Sequence, residues 1–194
     1  MKKIFLLFSL SICFSINAQN YKVSELKVSE ELYGDLYDSA NKESVILLIA
    51  GSGPTNRNGN SIGTAVNNSL KFLAQGLATQ NYDVFTYDKR VVYLLKNNKD
   101  IPELDFKHGI TDAETIVAYL KNHLKYKNVI IAGHSEGSLV GMVAAQKNAA
   151  AFVSLAGAGN SIDIILKKQL NKQAPMLDKK VSEILSELKK GNTP

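Results

Sequence analysis

The chain of 194 residues has room for one domain with a real core, and its 45% hydrophobic and 21% charged content is that of an ordinary globular protein. A formal net charge of +5, with no long basic run and no interleaving of aromatic with basic residues, gives no ground for nucleic-acid binding.

Lys2 and Lys3 precede an apolar run from Ile4 to Cys13, extended by Phe14 and Ile16 and closed by Asn17-Ala18-Gln19. This is the layout of a secretory signal, and the run is too short to span a bilayer. Residues 1–19 are therefore expected to be a signal peptide cleaved near Ala18 or Gln19. That makes the mature chain secreted or periplasmic, with no membrane span. Cys13 is the only cysteine and would leave with the signal, which excludes disulfides and thiolate metal sites. Loss of Lys2 and Lys3 lowers the charge to +3, too small an excess to predict a partner.

Tyr21 to Ser39 reads as two strands with a turn near Gly34-Asp35. Ser44 to Ala50 is a short, unbroken apolar run, suited to a strand buried on both faces, and Gly51-Ser52-Gly53-Pro54 breaks it. From Ser61 to Gln80, the spacing of Val66, Leu70, Leu73 and Leu77 predicts a helix. Asp83 to Tyr87 reads as a strand. Thr111 and Glu114 fit a capping box for a helix burying Ala113, Ile116, Val117 and Leu120. Asn128 to Ala132 is another buried strand, Gly137 to Gln146 a helix, and Ala151 to Leu155 a further strand.

Beyond Ser161 the pattern becomes wholly helical. Ile162, Ile165, Leu166 and Leu170 mark one amphipathic helix, and Val181, Ile184, Leu185 and Leu188 another, with a break at Ala174-Pro175. Residues 190–194 are of linker composition. Strands alternating with helices imply a mostly parallel sheet covered on both faces. Ligands of such sheets bind beyond the carboxyl ends of the strands, here the loops opening at Gly51, Asp88, Gly133 and Ala156.

Gly133-His134-Ser135-Glu136-Gly137 fits G-x-S-x-G between a predicted strand and a predicted helix, the context this nucleophile motif requires. A serine on so sharp a turn has a strained backbone and an exposed hydroxyl. The helix N-terminus behind it points free N–H groups at a developing oxyanion. Gly51 to Gly59 lacks the spacing of a phosphate-binding loop.

With that elbow, the segment Gly51-Ser52-Gly53-Pro54-Thr55-Asn56-Arg57-Asn58-Gly59-Asn60 and the strand end Phe85-Thr86-Tyr87-Asp88-Lys89-Arg90 resemble the bacterial α/β-hydrolases of the serine aminopeptidase-like esterase branch. The resemblance runs from about Leu32 to the end of the chain. It implies Ser135 as nucleophile and the backbone N–H groups of Ser52 and Glu136 as the oxyanion hole, with Gly133, His134 and Gly137 shaping the elbow. Gly51 and Gly53 would form the oxyanion loop. Arg57, Asp88 and Arg90 either brace it by ion pairing or sit as solvated surface charges, and the residues alone leave both open.

The same family takes its acid and then its histidine base from positions after the serine. Here His108, His123 and His134 all stand before Ser135 or beside it on the elbow, and none follows. Asp163, Asp178, Glu183 and Glu187 do follow, on the helical segment that resembles the family's lid. The expected organisation is thus a signal peptide over 1–19, a partial α/β-hydrolase core over 20–160 and a helical lid segment over 161–194, with the family's last strands missing. A further departure is Val91-Val92-Tyr93-Leu94-Leu95, read as a bulky apolar loop where the family has glycine.

The resemblance implies hydrolysis of a small-molecule carboxylic ester, or of an acyl-peptide or aminoacyl substrate by the same apparatus. The absence of a later histidine leaves open a non-catalytic periplasmic binder that kept the pocket, or a decayed gene product. No histidine pair has ligand spacing, so neither metal nor cofactor is expected.

Overall fold

The computed structural model describes residues 20–63 and 66–192, so the expected leader over 1–19 and the last two residues lie outside it. In chain order the elements are β1 (Lys22–Lys27), β2 (Tyr33–Asp38), β3 (Ser44–Ile49), α1 (Ser69–Thr79), β4 (Asp83–Tyr87), α2 (Arg90–Lys96), α3 (Phe106–Asn122), β5 (Asn128–His134), α4 (Glu136–Asn148), β6 (Ala151–Leu155), α5 (Ile162–Gln173) and α6 (Asp178–Lys189). A 3₁₀ turn at Pro175–Leu177 separates the last two.

The strands form one sheet in the order β1-β2-β4-β3-β5-β6. β4, β3, β5 and β6 are mutually parallel, while β1 and β2 add an antiparallel hairpin at one edge. Successive side chains of a strand point to opposite faces, so the apolar runs supply both layers at once. Val45, Leu47, Ile49, Phe85, Val129 and Ile131 pack against Ala113, Ile116, Val117 and Leu120 of α3 and Val140 and Ala144 of α4. Ile46, Leu48, Val84 and Ala132 cover Ala74 and Ala78 of α1 on the other face. Full burial of each large aliphatic side chain contributes about 1.5–3 kcal/mol.

Several local expectations are corrected. The β1–β2 turn is made by Val28 to Leu32, where the Val28 N–H donates to the Leu32 carbonyl at 2.9 Å, and Gly34 and Asp35 lie inside β2. Helix α1 begins at Ser69 rather than Ser61, and Val66 is exposed. Asn60 Oδ1 holds the amides of Asn67 and Asn68 in the loop at 2.9 and 2.8 Å. The Asn58 carbonyl then accepts from Leu70 and Lys71 at the helix start. Helix α3 starts at Phe106, with Asp105 and His108 as its capping box in place of Thr111 and Glu114. Residues 91–95 are helical, within α2.

α5 and α6 form a hairpin in which no residue is buried, clipped by Lys189 to Asp163 at 2.5 Å and Lys167 to Asp178 at 3.9 Å. No helix among the described residues is long and apolar enough to cross a membrane.

Candidate active site

The turn from β5 into α4 is sharp because two glycines permit it. A Cβ on Gly133 would run into the Gly137 carbonyl, and one on Gly137 into the carbonyls of Ala50 and Ile49. Ser135 sits at the apex with φ 53° and ψ −120°, a region that non-glycine residues rarely occupy. The surroundings hold it there. Its N–H donates to the Leu155 carbonyl at 3.0 Å and its carbonyl accepts from Ser138 N–H at 3.0 Å. The buried Ser138 hydroxyl donates to the Gly133 carbonyl at 2.9 Å and lies 2.7 Å from Ser154 Oγ. Strand β6 therefore fixes the elbow, a role for Leu155 and Ser154 that no sequence motif announces.

The loop after β3 passes directly over this apex. A Cβ on Gly51 would lie 3.3 Å from Ser135 Cβ and 3.3 Å from His134 Nδ1. Gly53, at φ 79°, turns the chain away, and Thr55 closes the turn with its hydroxyl on the Ser52 carbonyl at 3.1 Å and on Ser61 Oγ at 2.9 Å. Asn56 Oδ1 accepts from the Asn58 and Asn60 amides at 3.0 and 3.1 Å, so an asparagine-rich loop satisfies its own backbone. Among the described residues, neither the Ser52 nor the Glu136 amide donates to a backbone carbonyl. Ser52 and Ser135 line one cavity, and the Glu136 N–H stands at the positive end of α4.

Arg57 anchors the loop from behind. Its Nη1 donates to Glu25 Oε2 and Asp35 Oδ1, both at 2.6 Å, and its Nη2 to Asp88 Oδ2 at 3.0 Å. Lys96 also reaches Asp88 Oδ2, at 3.1 Å. Burial opposes ionisation of Asp88, but two hydrogen bonds from Arg57 and its positive charge hold the carboxyl below its ordinary value. Burial likewise opposes the charged form of Arg57, and its bonds to Asp88 and Asp35 hold its pKa above the ordinary value.

Arg90 turns elsewhere, to Asp112 and, at 2.6 Å, to Glu31. Its neighbour Lys89 is the one that touches the site: its N–H reaches the Thr55 carbonyl at 3.4 Å and its Nζ lies 3.2 Å from Glu136 Oε1. A basic residue after Asp88 was visible in the sequence, but which of Lys89 and Arg90 faces the elbow depends on where α2 begins.

No described histidine is hydrogen-bonded to Ser135. His134 is exposed beside Gly51. His123 caps the end of α3 with its ring stacked on Tyr119. His108 Nδ1 lies 3.1 Å from the Asp105 amide nitrogen and 2.7 Å from Asp105 Oδ1, with its tautomer setting whether it accepts or donates. Of the later acids, Asp163, Asp178 and Glu187 are bound to lysines of the α5–α6 hairpin, and Glu183 lies in α6. Among the described residues, no group of three or more His, Cys, Asp or Glu is arranged to hold a metal.

One cavity opens on Ser135 and a second lies beside the elbow without touching that serine. The first, of about 220 Å³, is bounded by Ser52, Ser135, His134, Leu70 and the hydroxyl or amide side chains of Thr55, Ser61, Asn67 and Ser69. The second, of about 460 Å³, reaches Gly53 and Glu136, and its mainly apolar wall also carries Lys89, Arg90, Asp105, His108 and Asp112.

The sequence matches no protein-family model and no curated protein. Solved structures do match. Dienelactone hydrolase from Anabaena variabilis is 16% identical with a TM-score of 0.55, over 71% of this chain and 63% of that one. An esterase from Pyrococcus furiosus is 17% identical with a TM-score of 0.55, over 84% and 59%. The α/β hydrolase GrgF from a Penicillium species is 16% identical with a TM-score of 0.53, over 82% and 53%. The chain thus spans less than two thirds of the length of these structures. Its sheet order, its flanking helices and this likeness together give it the α/β-hydrolase fold.

Proposed function

We propose that this protein is a serine hydrolase of carboxylic esters, with Ser135 as nucleophile and the Ser52 and Glu136 amides as oxyanion donors. The observation that carries the reading is the backbone of Ser135, strained at φ 53° between two glycines that no larger residue could replace. Strain of this kind serves to expose a hydroxyl at the tip of a strand-to-helix turn. The loop and elbow motifs, and the Arg57–Asp88 brace, favour the serine aminopeptidase-like esterase branch.

In the reaction, Ser135 Oγ bonds to the acyl carbon while the carbon–oxygen bond to the alcohol breaks, and the alcohol leaves with the serine proton. Water then splits the acyl-serine, restoring the hydroxyl and releasing the acid. One oxyanion donor is worth about 2.7–4 kcal/mol of barrier. Without a base at Ser135, such donors and substrate binding sustain about 10³–10⁴-fold catalysis over water, so turnover by the described residues alone is slow. The α5–α6 hairpin serves as a lid. Residues 1–19 direct the chain out of the cytoplasm, and detection of the mature protein outside it checks that point.

A second reading, a pocket that binds without turnover, is favoured by the lack of any described histidine on Ser135. Hydrolysis of an aryl acetate by the full chain, lost in Ser135→Ala, supports the enzyme. A rate equal to that of Ser135→Ala, with ligand-induced thermal stabilisation, supports the binder.

A further inference from the structure

The residue that follows Ser135 is an acid. Glu136 lies in the first turn of α4, where a carboxylate favours the helix. For ester hydrolysis the same carboxylate is unfavourable. Negative charge develops on the oxygen that the Glu136 N–H would hold, and like charges repel. A cation placed on this carboxylate removes the conflict, and Lys89 stands in that position.

Lys89 lies between β4 and α2, and its Nζ is 3.2 Å from Glu136 Oε1. Its backbone N–H reaches the Thr55 carbonyl at 3.4 Å, and the Thr55 hydroxyl donates to the Ser52 carbonyl at 3.1 Å. One residue is therefore joined both to the loop that carries the Ser52 amide and to the turn that carries the Glu136 amide. The cations around it are committed elsewhere: Arg57 to Glu25, Asp35 and Asp88, Lys96 to Asp88, and Arg90 to Glu31 and Asp112. The Lys89 and Glu136 side chains are 20% and 41% exposed, and an ion pair so open to water adds little to folding stability. Its effect falls instead on charge beside Ser135.

Resting on the reading of Ser135 as the nucleophile, we propose that Lys89 is a positioning residue that neutralises Glu136 at the oxyanion hole. As Ser135 Oγ bonds to the acyl carbon, the carbonyl electron pair moves onto the oxygen facing the Ser52 and Glu136 amides. The Lys89 ammonium offsets the Glu136 carboxylate during that interval, and no proton moves to or from Lys89. When the carbonyl re-forms, the bond to the alcohol oxygen breaks and the demand for compensation ends.

The test is hydrolysis of an uncharged aryl acetate by the folded full chain and its variants. Lys89→Met leaves the carboxylate uncompensated and should lower kcat about tenfold with KM unchanged. Glu136→Gln leaves the ammonium facing the developing charge and should raise kcat about threefold. The double variant Lys89→Met/Glu136→Gln should recover most of the loss, and Lys89→Arg should lose less than Lys89→Met. A pair that only holds the fold gives another pattern, in which both single variants slow and the double variant is no faster than Lys89→Met. That pattern, or an unchanged kcat in Lys89→Met, would overturn the proposal. Affinity for butyrate in the Ser135→Ala background reads the same charges without the serine: Lys89→Met should weaken it and Glu136→Gln should tighten it. If the natural chain forms no acyl-serine while butyrate follows that order, the nucleophile reading fails and the role of Lys89 stands. Butyrate binding indifferent to both substitutions would overturn that role.

Discussion

Arg57 grips both carboxylate oxygens of Asp88, with its backbone N–H on Oδ1 at 2.8 Å and its Nη2 on Oδ2 at 3.0 Å. One residue thereby ties the loop over Ser135 to the end of β4. Through Asp35 and Glu25 it also ties that loop to the β1–β2 hairpin.

Both side chains are nearly buried, at 12% and 6% exposure, and without Arg57 the carboxylates of Asp88, Asp35 and Glu25 keep only Lys96, on Asp88, from this network. Arg57→Met is expected to cost about 3–5 kcal/mol in denaturant unfolding. Arg57→Lys should also destabilise, since a point charge cannot reproduce the fork. A loss below about 1 kcal/mol for Arg57→Met would show that the network does not hold the loop.

The same pair sets an acid limit. The folded-state pKa of Asp88 lies below its unfolded value, so its contribution is present above about pH 4 and is lost as pH falls through the folded pKa. The stability gap between the natural chain and Asp88→Asn should be constant near neutrality and shrink below about pH 4. A gap that widens on acidification would reverse the assignment.

Ser135 stores strain that glycine would release. Ser135→Gly is expected to raise stability by about 1 kcal/mol or more while abolishing reaction with ester analogues. Thermal unfolding checks the first part. A lower melting temperature than Ser135→Ala would mean that the φ of 53° costs nothing.

The glycines of the site should separate by mechanism. At Gly133 and Gly137 an added methyl meets backbone that cannot yield, so alanine should destabilise by about 3 kcal/mol or more, or prevent folding. At Gly53 a methyl meets open space and only the φ of 79° resists it, so alanine should cost about 1–2 kcal/mol. Equal effects at all three positions would contradict the crowding described for the elbow.

The buried strands were legible because their signal is local: Val45 to Ile49 and Val129 to Ala132 are apolar throughout, as suits a strand covered on both faces. The elbow was legible for a similar reason, since strand, glycine, serine, glycine and helix lie within a few residues. Contacts across the chain were not. Nothing near Asp105 shows that it outcompetes Thr111 as a helix cap, because that choice depends on where the preceding loop docks. The pairing of Lys89 with Glu136 spans 47 residues and exists only once β4 and β5 sit on either side of β3. Likewise, the start of α1 is set by Asn58 and Asn60 folding back from the loop, a tertiary effect that overrides the helical spacing of Val66.

The most direct test of the central claim is reaction of the folded full chain with a fluorophosphonate, followed by peptide mapping of the adduct. A single adduct on Ser135, absent from Ser135→Ala and from the unfolded chain, is the predicted result. A chain that melts cooperatively yet forms no adduct at Ser135 would contradict it and make the pocket a binding site.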